Sequence, residues 1–247
     1  HVIPKKERKF YSESVIYMPD TYMPTDGSRE IYKGEQTRKM YGLPEEAFVM
    51  CCFNNNYKIS KKEFTIWIEV LKKIPNGVLW LRKSNELSQK NILKYAELLG
   101  FCKSRIVFAE MIDMDKHLSR HKLADIFVDT FNFNAHTTAT EALFSGLPVI
   151  TKVGRSFGAR VCTSLLNAIG LPELVAKTEE EYKNLILFYA QNPKNLQKLK
   201  VKLTHNVKKY PLFNSKVYTK NLEKSLKFTL ESTRNKSVFS DVYVDKI

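Results

Sequence analysis

From Ala47 onward the apolar positions of the chain alternate between two patterns. Short unbroken apolar runs give way to stretches in which apolar residues recur every three or four positions. Residues 47–53 form the first run, and continuity over that length suits a strand covered on both faces. Residues 60–73 form the first periodic stretch. Ser60 and Glu63 have the spacing of a capping box, and Phe64, Trp67, Ile68 and Leu71 fall on one face, which predicts a helix. The same reasoning predicts strands at 78–81, 105–108, 124–130, 148–151 and 174–176. Helices are predicted at 88–99, 115–122, 138–144, stopped by Gly146, and 159–169. Thr178 and Glu181 are spaced to cap a further helix. Asn192 followed by Pro193 starts another over 192–209, and 215–231 reads as the last.

Strands alternating with helices in this way predict an α/β fold built on a Rossmann-like, doubly wound parallel sheet. The first 45 residues stand apart: 15–18 is a lone strand, followed by turn-rich sequence from Pro19 to Gly27. A single strand cannot bury itself. Residues 1–45 are therefore expected to be the end of a preceding domain and a linker, 46–214 the sheet domain, and 215–247 a closing helix with a loosely held tail beyond Ser232. The chain begins at His1 without a methionine, which leads us to expect a piece of a longer protein.

Composition changes this picture little. At 247 residues and 43% hydrophobic the chain can bury a substantial core. No apolar run approaches the roughly 18 residues that span a bilayer. Cys51, Cys52, Cys102 and Cys162 show no C-x-x-C spacing, and the first two lie in a strand, which suggests reduced core thiols and a cytoplasmic location. The net charge of +14 points to acidic partners. However, the lysines are scattered over many predicted helices, and no RNP motif, zinc-finger spacing or recognition helix accompanies them. The charge reads as solvated helix faces, and neither nucleic acid nor membrane is an expected partner.

Candidate chemistry lies in the loops that follow the strands. Residues 132–141, Asn-Phe-Asn-Ala-His-Thr-Thr-Ala-Thr-Glu, leave a buried strand and open a helix. There the unpaired N–H groups, the helix dipole and two adjacent hydroxyls could hold a phosphate. Thr138 and Glu141 also have capping-box spacing, which needs no ligand. The first strand is followed by Asn54-Asn55-Asn56-Tyr57-Lys58, with neither G-x-G-x-x-G nor G-x-x-x-x-G-K-[ST] present. Its lysine could meet a phosphate, or the stretch could be an ordinary polar loop. His117 and His121 stand four apart, as metal ligands on a helix can, but lack H-E-x-x-H and a third ligand. His117 and Arg120 could instead share a face and reach a base and a phosphate. Asp113-Met114-Asp115 admits either a divalent metal on a nucleotide diphosphate or a helix N-cap at Asp113.

Read in order, Phe53-Asn54-Asn55-Asn56-Tyr57-Lys58-Ile59, Val78-Leu79-Trp80-Leu81, Lys122-Leu123-Ala124-Asp125, His136-Thr137-Thr138 and Pro211-Leu212-Phe213-Asn214 resemble the catalytic region of the O-linked N-acetylglucosamine transferases. Tyr17-Met18-Pro19-Asp20-Thr21 joins almost directly to Tyr41-Gly42-Leu43-Pro44-Glu45, which is similar to bacterial members of that family. The resemblance implies the nucleotide-sugar-binding half of a GT-B glycosyltransferase, moving N-acetylglucosamine from UDP-GlcNAc to serine or threonine of a protein or peptide acceptor without a metal. It implies an upstream acceptor-side domain and helical repeats of the tetratricopeptide type. It also implies site roles. Lys58 would be the catalytic contact to the leaving diphosphate, and His136, Thr137 and Thr138 would line the diphosphate site. Glu141 would meet the ribose, His117 and Arg120 the uridine, and Asn55 the donor. Asn55 stands for a glutamine, Met114 for a lysine and Asp20 for a histidine of the animal enzymes. The family includes protein N-glucosyltransferases and O-fucosyltransferases, so UDP-glucose or GDP-fucose are alternative donors, and a noncatalytic nucleotide-binding module is a further alternative.

Overall fold

The computed structural model describes residues 1–235 and 241–245. Its strands are β1 (Ile16–Tyr17), β2 (Val49–Cys52), β3 (Val78–Arg82), β4 (Ile106–Ala109), β5 (Ile126–Val128), β6 (Val149–Lys152), β7 (Val175–Ala176) and β8 (Val242–Tyr243). Between and after them run α1 (Lys61–Lys72), α2 (Glu86–Leu98), α3 (Met114–Arg120), α4 (Thr137–Phe144), α5 (Val161–Ala168), α6 (Glu179–Gln191), α7 (Pro193–Lys209) and α8 (Ser215–Arg234).

Six strands form one sheet in the order β4-β3-β2-β5-β6-β7, every pair parallel. The chain winds outward from β2 to one edge, then returns to β5 and winds to the other. The reversal falls between β2 and β5, where Met50 lies opposite Ile126 and Cys51 opposite Phe127. Loops leaving the C-terminal ends of these two strands diverge, which opens a crevice for a ligand. Helices on both faces bury β2 completely, and this is why its sequence is an apolar run rather than an alternation. Trp67 and Trp80 are among the largest buried side chains. The Trp67 indole N–H is satisfied by the Tyr182 hydroxyl at 2.9 Å, and that hydroxyl donates to the Asp129 carbonyl at 3.0 Å. One chain of hydrogen bonds thus ties α1 and α6 to the end of β5.

Local signals explain several helix starts. The Glu63 carboxylate receives the Ser60 N–H at 2.6 Å, and the Thr178 hydroxyl accepts from Glu181 N–H at 3.1 Å. α2 starts earlier than Ser88 because the Asn85 side chain takes the Ser88 N–H at 2.8 Å and is the true cap. α3 stops at Arg120 and continues only as a single 3-10 turn, His121–Leu123.

The ends of the chain depart from expectation. β1 is not alone: it pairs in parallel with β8, Ile16 opposite Val242 and Tyr17 opposite Tyr243. The Asp241 carboxylate receives Arg8 Nε at 2.6 Å and Val15 N–H at 3.0 Å, and the Tyr17 and Tyr243 rings stack at 4.7 Å. The stretch 241–245 is therefore anchored rather than loose; residues 236–240, also within the expected loose tail, lie outside the described residues. A two-residue strand is too short to print a period, so the sequence could not announce this pairing. Among the described residues no helix is long and apolar enough to cross a membrane.

Candidate functional site

The loop from β5 to α4 is organised by one buried carboxylate. Asp129 Oδ1 accepts Thr130 N–H at 2.8 Å, Ala135 N–H at 2.6 Å and the Asn54 amide at 3.3 Å, and Oδ2 accepts the Thr151 hydroxyl at 2.6 Å. Complete burial pushes this carboxyl up to about 6 despite those donors. Asn134 adds a 2.7 Å bond from its amide to the Thr130 carbonyl, closing the turn. Apolar strand residues set Asp129 inside the sheet, and the backbone curls round it so that His136 arrives at the head of α4.

His136 stacks on Phe133 with ring centres 4.5 Å apart, and its Nε2 lies 3.2 Å from the Gly158 carbonyl. A carbonyl only accepts, so Nε2 carries the proton and Nδ1 keeps a lone pair. Burial, with a smaller contribution from the Lys58 charge, lowers the pKa of this ring. A Cβ on Gly158 would stand 2.8 Å from the Phe133 ring, so that close approach requires glycine. The Thr137 side chain is exposed at the first helical position.

Thr138 behaves differently from the capping-box reading. Its hydroxyl donates to Asn54 Oδ1 at 2.5 Å, and Glu141 turns instead to His117, Nε2 to Oε2 3.5 Å. A hydroxyl has one proton, so Thr138 cannot also donate it to an anion while this bond stands. Its backbone N–H, with that of Thr137, keeps the helix N-terminus open toward the crevice.

Lys58 ends the single 3-10 turn Asn56–Lys58 after β2. Its ammonium lies 3.4 Å from the Asn134 carbonyl and 4.4 Å from the centre of the Phe133 ring. Burial lowers its pKa, and among the described residues it forms no ion pair. The cation is held by a ring and a carbonyl beside His136, with its charge left for a ligand. Asn55 sits further out, accepting from Arg82 Nη1 and donating to the Tyr57 hydroxyl at 3.3 Å.

On α3 the two basic residues divide their tasks. Arg120 is only 3% exposed, so it does not reach a base and a phosphate as an open cation. It lies over Phe53 at 4.9 Å and donates to the Glu110 carbonyl and to His117 Nδ1 at 2.6 and 2.7 Å. A guanidinium cannot accept, so His117 Nδ1 is unprotonated and its N–H at Nε2 faces Glu141. Arg120 thereby fixes the tautomer and direction of the half-buried His117. His121 donates Nδ1–H to the His117 carbonyl at 2.7 Å, leaving its buried Nε2 without a partner among the described residues. Burial pushes its pKa down to about 3.

The His117 and His121 rings approach to 4.7 Å, but among the described residues no group of three His, Cys, Asp or Glu side chains could hold a metal ion. Asp113 occupies the N-cap position of α3 without making the cap bond; its carboxylate pairs with Lys116 at 3.1 Å. The Asp115 carbonyl accepts Tyr32 N–H at 3.2 Å.

Lys58, His136, Thr137 and Thr138 therefore meet at the switch point, and His117 joins them through Glu141, one turn along α4. Sequence reasoning placed Asn54 and Phe133 in the candidate loops without the supporting contacts they make here, and it missed Asp129 as part of this site. A charged residue and a threonine closing an apolar run, as Asp129-Thr130 do, was the available signal.

The profile described as glycosyl transferase family 41 matches residues 33–222. A UDP-N-acetylglucosamine–peptide N-acetylglucosaminyltransferase of Caenorhabditis elegans is 36% identical over 187 residues, 76% of this chain and 16% of its own length. The probable enzyme of that name, SEC, from Arabidopsis thaliana is 32% identical over 230 residues, 91% of this chain and 24% of its own. This chain thus spans no more than about a quarter of either relative. An O-GlcNAc transferase structure from Thermobaculum terrenum has a TM-score of 0.82 at 24% identity, covering 92% of this chain and 43% of that one, which shows that the fold is of the GT-B type. With the profile covering most of its length and two relatives above 30% identity, the chain belongs to glycosyl transferase family 41.

Proposed function

We propose that this chain is the donor-binding half of a protein O-GlcNAc transferase, with residues 46–214 as the nucleotide-sugar domain. Two family relatives are named for transfer of N-acetylglucosamine from its UDP conjugate to peptide. The observation that carries the reading is the uncompensated Lys58 cation beside the N-terminus of α4 at the sheet's switch point. In the reaction a serine or threonine oxygen of the acceptor attacks the anomeric carbon. The bond from that carbon to the diphosphate oxygen breaks, its electron pair leaves on the phosphate, and the hydroxyl proton is taken up by the departing phosphate or by solvent.

Lys58 and the N–H groups of Thr137 and Thr138 stabilise the departing charge, as fixed donors in a partly dry site do best. His136 lines the diphosphate, and the Thr137 hydroxyl adds a donor. His117, oriented by Arg120, presents N–H toward Glu141 at the nucleoside end, and Asn55 lies on the donor side. A metal is not required in this scheme, because the lysine and the helix N-terminus supply the positive charge.

The test is direct. UDP at about 100 times its dissociation constant should stabilise the chain by roughly 2.7 kcal/mol, read as a rise in melting temperature that persists with chelator. In the full-length protein, UDP-GlcNAc should support peptide labelling over UDP-glucose and GDP-fucose. No thermal shift with UDP or GDP would end the donor-site reading, and a preference for another donor would keep the site and change the sugar.

A further inference from the structure

Phe133 stands in the loop from β5 to α4 with 45% of its surface exposed, outside the buried apolar core. An exposed apolar ring alone calls for no explanation. Its neighbours do. The Lys58 ammonium lies 4.4 Å from its centre, and the His136 ring stacks on it at 4.5 Å with 22° between the planes. The ring therefore meets two side chains of the crevice rather than the core.

The seat of the ring is made by a different loop. Gly158, between β6 and α5, comes so close that an added Cβ would stand 2.8 Å from Phe133 Cδ2 and 3.0 Å from Cε2. The Gly158 carbonyl accepts Asn134 N–H at 2.9 Å and faces His136 Nε2 at 3.2 Å. The residues that follow Phe133 are thus tied to the glycine against which its ring rests. His136 keeps its bond to Gly158 whatever side chain stands at 133, so Lys58 is the neighbour that depends on the ring.

A lysine that serves a leaving group has to be held without being neutralised. Its four-carbon stem is flexible, and fixing the ammonium costs side-chain entropy. A carboxylate would fix it but cancel the charge that the departing diphosphate needs. An aromatic face attracts a cation through its quadrupole and carries no net charge. Among the described residues Lys58 has no ion pair. Its bond to the Asn134 carbonyl, at 3.4 Å, is longer than an ordinary N–H···O bond. The ring is left as the main restraint on the cation.

We infer that Phe133 is a positioning residue for sugar transfer, its ring holding the Lys58 ammonium beside the head of α4 with the charge intact. The inference rests on the reading of Lys58 as the leaving-group contact. It adds a residue that acts through Lys58 and need touch no reacting atom itself.

The test is a double-mutant cycle in the full-length protein. Phe133→Leu and Phe133→Met keep apolar bulk and remove the ring. Each should lower kcat roughly ten-fold, as a displaced catalytic group does, and leave KM for UDP-GlcNAc within about three-fold. Phe133→Tyr retains the ring and should stay within about three-fold of wild-type kcat. In the Lys58→Ala background, removing the ring should cost less than about two-fold, because two residues that act as one unit are not additive. In the chain itself, the Lys58 ε-methylene protons, identified by their loss in Lys58→Ala, should resonate upfield of those of exposed lysines and join them in Phe133→Leu.

Wild-type kcat without the ring, a ring effect that persists undiminished in Lys58→Ala, a rise in KM with kcat unchanged, a loss that merely follows the melting temperature, or Lys58 signals unmoved by Phe133→Leu would each overturn the positioning role and leave Lys58 in the mechanism. Near wild-type kcat in Lys58→Ala alone would instead remove the reading beneath it, and the positioning role with it.

Discussion

Replacing Asp129 by asparagine should change how stability depends on pH, by an amount the structure sets. The carboxyl is fully buried and titrates at about 6 in the folded chain, against 3.8 for the free side chain. Between those values the folded state holds the proton more tightly than the unfolded state. The stabilisation from this group is therefore complete below pH 3.8 and is lost as pH rises through 6. A shift of about two units is worth about 3 kcal/mol. The amide introduced by Asp129→Asn would keep an oxygen for the Thr130 and Ala135 N–H groups and turn its nitrogen toward Thr151, whose hydroxyl can rotate to accept. The variant should fold and lack the titration.

The assay is urea unfolding of both proteins from about pH 4 to pH 7.5, taken as a difference so that other groups cancel. Relative to wild type, the Asp129→Asn variant should gain about 3 kcal/mol across this range and level off above about pH 7. A flat difference, or one that runs the other way, would refute the account of Asp129 as a carboxylate whose burial outweighs its donors.

Three further outcomes follow from the same contacts. Tyr182→Phe removes the hydroxyl between Trp67 and the Asp129 carbonyl and should cost about 1–3 kcal/mol in denaturant melts, because two buried polar groups lose their partner. Arg120→Ala should weaken UDP binding and also lower the melting temperature, whereas His117→Ala should weaken binding with a smaller loss of stability; isothermal titration beside thermal melts separates the two effects. His121→Ala should leave UDP affinity within a factor of about three, since this ring is sealed behind Phe53, and metal analysis of the wild type should find no stoichiometric zinc.

Much of the sheet could be read from the sequence because strands buried on both faces must be apolar throughout, as in residues 47–53. The relation of the two central loops followed from that order. What local spacing could not show was competition from distant residues. Thr138 and Glu141 are spaced to cap each other, but the buried amide of Asn54 and the ring of His117 offer better partners. Arg120 looks like a surface cation in sequence, and only the ring of Phe53, beside Trp80, explains how it is buried. β1 and β8 lie more than 200 residues apart and are two residues long. Asp129 was legible as the end of a strand, not as the post around which the loop is wound.

The central claim is that the charge of Lys58 serves the leaving diphosphate rather than the fold. In the full-length protein, kcat for sugar transfer should be compared between wild type and Lys58→Ala, with UDP affinity and melting temperature measured on the same samples. Loss of one donor to developing charge should lower kcat by a factor on the order of 10² or more. UDP affinity should fall by less, since the α4 N-terminus remains, and the melting temperature should hold, because among the described residues Lys58 has no ion pair to lose. A variant that turns over at nearly the wild-type rate, or that loses activity only because it unfolds, would contradict the account.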